Sequence, residues 1–108
     1  MGEVSKFVSG DNGRIAAFSS MVQKISYESG IEQKLIQQYG EEALHKWESL
    51  KKRPINTLLN LSVENRQSEL QHILGFFKED VQNLIPSDEK LEKSMRIASL
   101  GYEMILGI

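Results

Sequence analysis

Residues 62–88 read SVENRQSELQHILGFFKEDVQNLIPSD, and the spacing of their apolar side chains decides the fold class. Val63, Leu70, Leu74, Phe77, Val81 and Leu84 recur at the mixed three- and four-residue steps of a packed helix, and Ile73 and Ile85 widen the stripe. Ser62 stands where an N-cap is needed, since its hydroxyl can accept from a first-turn amide that has no helical partner. Pro86 cannot continue the helix, and Ser87 with Asp88 begins another. Only a few residues separate the two segments, so the pattern predicts two long helices packed as antiparallel neighbours.

The helix that follows carries two apolar stripes. At about 100° per residue, Leu91, Met95, Ala98, Tyr102 and Ile105 form one, and Ile97, Leu100, Met104 and Ile108 form a second beside it. A surface helix needs one stripe. The second requires either a place in the middle of its own bundle or a partner outside it, a second copy of the chain included.

Towards the N-terminus the same reasoning finds shorter segments. Phe18, Met21, Val22 and Ile25 share an arc, predicting a helix from Ile15. Ser29 and Glu32 stand three apart, as in a capping box, before Ile31, Leu35, Ile36 and Tyr39. Gly40 suits a left-handed stop, and Glu41 with Glu42 suits the positive end of a further helix carrying Leu44, Trp47 and Leu50. Gly40 therefore either separates two helices or interrupts one. Pro54 ends this stretch near Lys52, and Ile55 to Leu61 can form a turn of helix. The chain is thus expected to be all-α, a compact bundle of four or five helices, over residues 14–108. Residues 1–13, with Gly10, Asn12 and Gly13, read as a flexible arm or short hairpin.

Composition narrows the function. At 108 residues the chain is one domain of ordinary size. It contains no cysteine, which removes disulfides and thiolate metal sites and suits a reducing compartment such as the cytoplasm. No apolar run approaches membrane-span length, and residues 1–13 lack the blocks of a secretion signal. A net charge of −2 supplies no field that selects nucleic acid. Apolar residues crowd the end, Met104 to Ile108, a pattern also expected of a piece cut from a longer protein.

Two Glu-x-x-His elements, Glu42 with His45 and Glu69 with His72, have the spacing of dimetal ligands in helical bundles. Such ligands must point inward, whereas the helical wheel turns both pairs away from the apolar faces centred on Trp47 and on Leu70, Leu74, Phe77 and Val81. They are read as solvated pairs, with no metal or cofactor expected. With no thiol, no nucleophile elbow and both histidines turned outward, the chain is not read as an enzyme. Lys46, Lys51, Lys52 and Arg53 beside Trp47 could touch phosphates and stack a base, but the cations point in different directions and suit a helix C-terminus. Trp47 is read as a core anchor.

The sequence therefore points to a small helical interaction or regulatory module that docks a protein partner or forms a homodimer through Ile97, Leu100, Met104 and Ile108. Phe76 points away from Phe77 and is either a further partner contact or a seat for Phe7 and Val8 of the arm. The alternative is a sensor domain that takes a small apolar ligand between helices, lined by Tyr39, Trp47, Met95 and Met104.

Overall fold

A computed structural model describes residues 12–108. The expected arm over residues 1–13, with Phe7 and Val8, lies almost wholly outside the described residues. Four helices, α1 (Asn12–Ser29), α2 (Gln33–Lys51), α3 (Val63–Val81) and α4 (Asp88–Leu106), are joined by short links, with a 3-10 turn at Ile55–Asn60 between α2 and α3. There is no strand among the described residues.

The links follow the local chemistry. Ser62 Oγ accepts from the Asn65 amide and Ser87 Oγ from the Lys90 amide, each at 3.2 Å, so both expected N-caps form. Lys52 takes the left-handed conformation after α2, and Pro54 follows it in extended geometry. The capping box at Ser29 does not form. Ser29 is the last residue of α1; its hydroxyl donates to the Ile25 carbonyl at 2.7 Å and accepts from the Ile31 amide, and Gly30 turns the chain at φ 78°. Ser29 thus closes one helix rather than opening the next.

Gly40 is neither a stop nor an interruption. α2 runs through it unbroken, leaving Glu41 and Glu42 in mid-helix. A Cβ at Gly40 would stand 3.0 Å from Phe18 Cζ and 3.3 Å from the Tyr102 hydroxyl, and that hydroxyl donates to the Gly40 carbonyl at 2.7 Å. The glycine lets α2 approach α1 and α4 closely, a gain set against the roughly 1 kcal/mol that glycine costs inside a helix.

Each helix packs against the two beside it in a ring ordered α1, α2, α3, α4, so α4 returns to α1. α3 and α4 are antiparallel: Arg66, near the start of α3, donates to the Leu106 and Gly107 carbonyls at the end of α4, at 3.0 and 3.1 Å. All four helices have nearly the same length, and the most extensive contact of α4 is with α1. Gly101 makes that contact close, since a Cβ there would lie 2.6–2.8 Å from Met21 side-chain atoms.

The core gathers Phe18, Met21 and Ile25 of α1, Ile36, Leu44 and Trp47 of α2, Leu58 of the 3-10 turn, Leu70, Ile73, Phe77 and Val81 of α3, and Ala98, Tyr102 and Ile105 of α4. Phe77 and Tyr102 meet edge to face, centroids 6.3 Å apart. The buried face of α3 is turned towards Ile73, leaving Leu74 half-buried. Leu84 is exposed because α3 ends at Val81 and the chain turns before Ile85 re-enters the core. Leu50, expected on the inward arc of α2, is exposed as well.

Candidate interaction surface

The two stripes of α4 have separate fates. Ala98, Tyr102 and Ile105 are buried, and Leu91 and Met95 half-buried, so the first stripe faces the core. In the second, Ile97 and Ile108 are half-buried, while Leu100 is 64% and Met104 65% exposed. α4 is therefore not wrapped on both sides by its own bundle.

Leu100 and Met104 form one wall of an open groove of about 370 Å³ along the α1–α4 seam. They sit one helical turn apart and project as a ridge. Gly13, Ala16 and Ser20 of α1 form the opposite wall, with Ala17, Met21 and Gly101 between them. The walls are unequal in height, because one carries long side chains and the other almost none. Beyond Lys24 and Ile97 the groove runs into a second depression bounded by Gln23, Tyr27 and Glu28, where Tyr27 is 88% exposed. The contribution of α1 was not read from the sequence. Its signal was the succession Gly13, Ala16, Ala17 and Ser20, small residues at helical steps where a solvated face would ordinarily carry long polar chains.

Phe76 does not join this surface. It is half-buried, packs against the core from α3, and is not part of the groove. The residues named for a ligand pocket lie apart: Trp47 is buried in the interior, Met104 is on the α1–α4 ridge, and Met95 lines an open depression between α3 and α4 that also holds Lys78, Asp88 and Arg96.

The charged candidates are engaged in structure. Glu69, expected on a solvated face, instead turns into the α2–α3 seam, where it accepts from Trp47 Nε1 at 2.9 Å and lies 3.4 Å from Lys51 Nζ. Burial raises the pKa of this carboxyl, but the Trp47 hydrogen bond and the Lys51 charge outweigh burial and hold it below the ordinary carboxylate range. His72 is exposed, and His45 lies 3.9 Å from Glu48. Glu42, His45, Glu69 and His72 do not converge, and no group of three or more metal-ligating side chains occurs among the described residues. Of the basic cluster, Lys46 holds Asp80 through both carboxylate oxygens at 3.0 and 3.1 Å, Lys51 pairs with Glu69, and the Arg53 guanidinium lies 5.7 Å from the Trp47 ring centroid. These contacts tie α2 to α3 and fix its C-terminal turn.

Tyr102 is the most deeply placed ionisable group. Burial, reinforced by the Glu41 charge, pushes its phenol far above the ordinary range, so it stays a neutral donor to Gly40. Ser94 Oγ is buried in α4 with no hydrogen-bond partner among the described residues. No described helix is long and apolar enough to cross a membrane. No protein-family model, curated protein or solved structure matches the chain.

Proposed function

We propose that the protein is a helical interaction module that acts by association through the α1–α4 face rather than by catalysis. The observation that carries this reading is the exposed Leu100–Met104 ridge standing beside a wall of glycine, alanine and serine. A fully buried leucine or methionine gains about 1.5 to 3 kcal/mol over an exposed one, and these two forgo most of that gain in the isolated chain. Tyr27 extends the apolar surface along the same seam, and contiguous patches of this kind on small domains mark contact sites. The interior polar groups support the same view: the Tyr102 hydroxyl and the Glu69 carboxylate are occupied in holding helices together.

A photoreactive benzophenone side chain placed at position 104 in the living host tests the reading, with position 72 on exposed His72 as control. Irradiation is expected to give a discrete adduct from position 104 and none from position 72. Absence of any adduct at 104, or equal adducts at both positions, refutes it.

A further inference from the structure

We infer that the groove is filled by a second copy of this chain, related by a two-fold axis running along the α1–α4 seam, which completes an intermolecular four-helix arrangement. The inference rests on the interaction-surface reading and names its partner.

The first argument is shape. α4 presents a ridge of two long side chains, Leu100 and Met104, and α1 beside it presents a depression over Gly13, Ala16 and Ser20. Because α1 and α4 are antiparallel neighbours, the ridge and the depression lie side by side at the same height along the seam. Rotation by half a turn about an axis parallel to the helices carries each copy's α4 over the other's α1 at that same height. The ridge of each copy then drops into the depression of the other, in the manner of helix ridges filling helix grooves. Every adjacent pair of helices in the resulting layer, α1 with α4 and α4 with the second copy's α1, is antiparallel, the arrangement that four-helix bundles use. A two-fold axis at right angles to the helices would instead stack ridge on ridge and leave both depressions empty.

The second argument is area. Helices of 18 and 19 residues lying side by side present a face roughly 28 Å long and 20 Å wide, about 550 Å² per copy. Doubled, this reaches about 1,100 Å², just above the smallest area expected of a specific interface. The third is charge. The lining of the groove is uncharged apart from Lys24, at the end away from Met104, so two identical faces meet with little repulsion. Closed two-fold pairing is also the commonest way for one patch to be covered.

The chain has no cysteine, so single cysteines report the geometry cleanly. Ala16→Cys and Leu100→Cys chains, mixed and oxidised, are expected to yield mainly the mixed disulfide between two copies, because Ala16 of one faces Leu100 of the other. Predominance of the Leu100→Cys homodisulfide would overturn the axis proposed. Sedimentation of the wild type is expected to show a concentration-dependent shift from monomer to dimer mass in the micromolar range, abolished in a Leu100→Glu, Met104→Glu variant of unchanged helicity. A wild type that stays monomeric at high micromolar concentration overturns the inference whatever the variant does. The mass of the photo-adduct from position 104 separates the two failures. An adduct with a different protein overturns the second copy and leaves the interaction surface standing, whereas no adduct overturns both.

Discussion

Replacing either of two helical glycines by alanine should move stability in opposite directions. Within a helix interior the change removes about 1 kcal/mol of unfavourable backbone entropy. At Gly75, on α3, an added Cβ meets nothing within 4 Å, so the full gain should appear. In a domain of this size that is a rise of roughly 4 to 8 °C in Tm. At Gly101, on α4, the same Cβ would lie 2.6 Å from Met21 Sδ, 2.7 Å from Cγ and 2.8 Å from Cβ. Sulfur and Cγ can swing aside, but Cβ is fixed to the α1 backbone, so relief requires α1 to move. Overpacking of this kind costs about 1 to 3 kcal/mol, and after the backbone gain of about 1 kcal/mol a net loss of up to about 2 kcal/mol is expected. Urea unfolding followed by circular dichroism, extrapolated linearly for wild type and both variants, measures the difference. Met21→Ala is itself costly because Met21 is buried, so the readout is coupling: the double variant should lose less than the sum of the two single losses. A Gly101→Ala variant as stabilised as Gly75→Ala would refute the close α1–α4 approach, and with it the unequal walls of the groove.

Three further outcomes test the interior. Tyr102→Phe should cost about 1 kcal/mol, since the Gly40 carbonyl loses a donor; in the wild type the raised Tyr102 pKa means that stability is complete below about pH 10 and falls as pH rises above it, so tyrosinate absorbance from this residue should appear only as helicity is lost. Glu69 has the opposite sign: its lowered pKa gives stability that is complete above the ordinary carboxylate range and is lost as pH falls through and below about 4, and Glu69→Gln should flatten the acid limb of a stability–pH curve while keeping an acceptor for Trp47. Ser94→Ala should be neutral or stabilising by up to about 1 kcal/mol in thermal unfolding, because the hydroxyl is buried without a partner; a loss above about 1 kcal/mol would mean that the serine has an acceptor.

Much of the fold was legible where local chemistry is self-sufficient. Ser62, Pro54 and Ser87 act on backbone groups within a few residues of themselves, and each ends or begins a helix where its chemistry places it, whereas α3 ends at Val81, five residues short of the Pro86 expected to close it. The misreadings at Ser29 and Gly40 share a cause. Ser29 has two local uses, capping the helix ahead or bonding back to Ile25, and the second prevails with Gly30 beside it in the left-handed region. Gly40 is explained only by Phe18, 22 residues earlier, and Tyr102, 62 residues later. Glu69 belongs with Gly40: its side of α3 looks solvated on a helical wheel until α2 brings Trp47 and Lys51 against it.

The candidate surface was half legible for the same reason. A helical wheel finds an excess of apolar residues, so Leu100 and Met104 could be named from α4 alone. The small residues Gly13, Ala16 and Ser20 are visible at helical steps along α1, but their smallness acquires meaning only beside a taller neighbour. That neighbour is fixed by Gly101, which draws α1 against α4 through Met21. The height difference between the walls is thus a product of packing, and the sequence expresses it through three features on two helices far apart in the chain: small residues on α1, long ones on α4, and a glycine where they touch. Filling the depression tests whether it matters. Ala16→Leu raises the low wall without entering the core, since Ala16 is exposed, so it should leave thermal stability within about 0.5 kcal/mol, as surface changes usually do. If the seam is a contact surface, the same change should weaken association as strongly as shortening the ridge with Leu100→Ala. Unaltered association in Ala16→Leu, measured by sedimentation beside Leu100→Ala, would show that only the α4 ridge takes part and that α1 lies outside the contact.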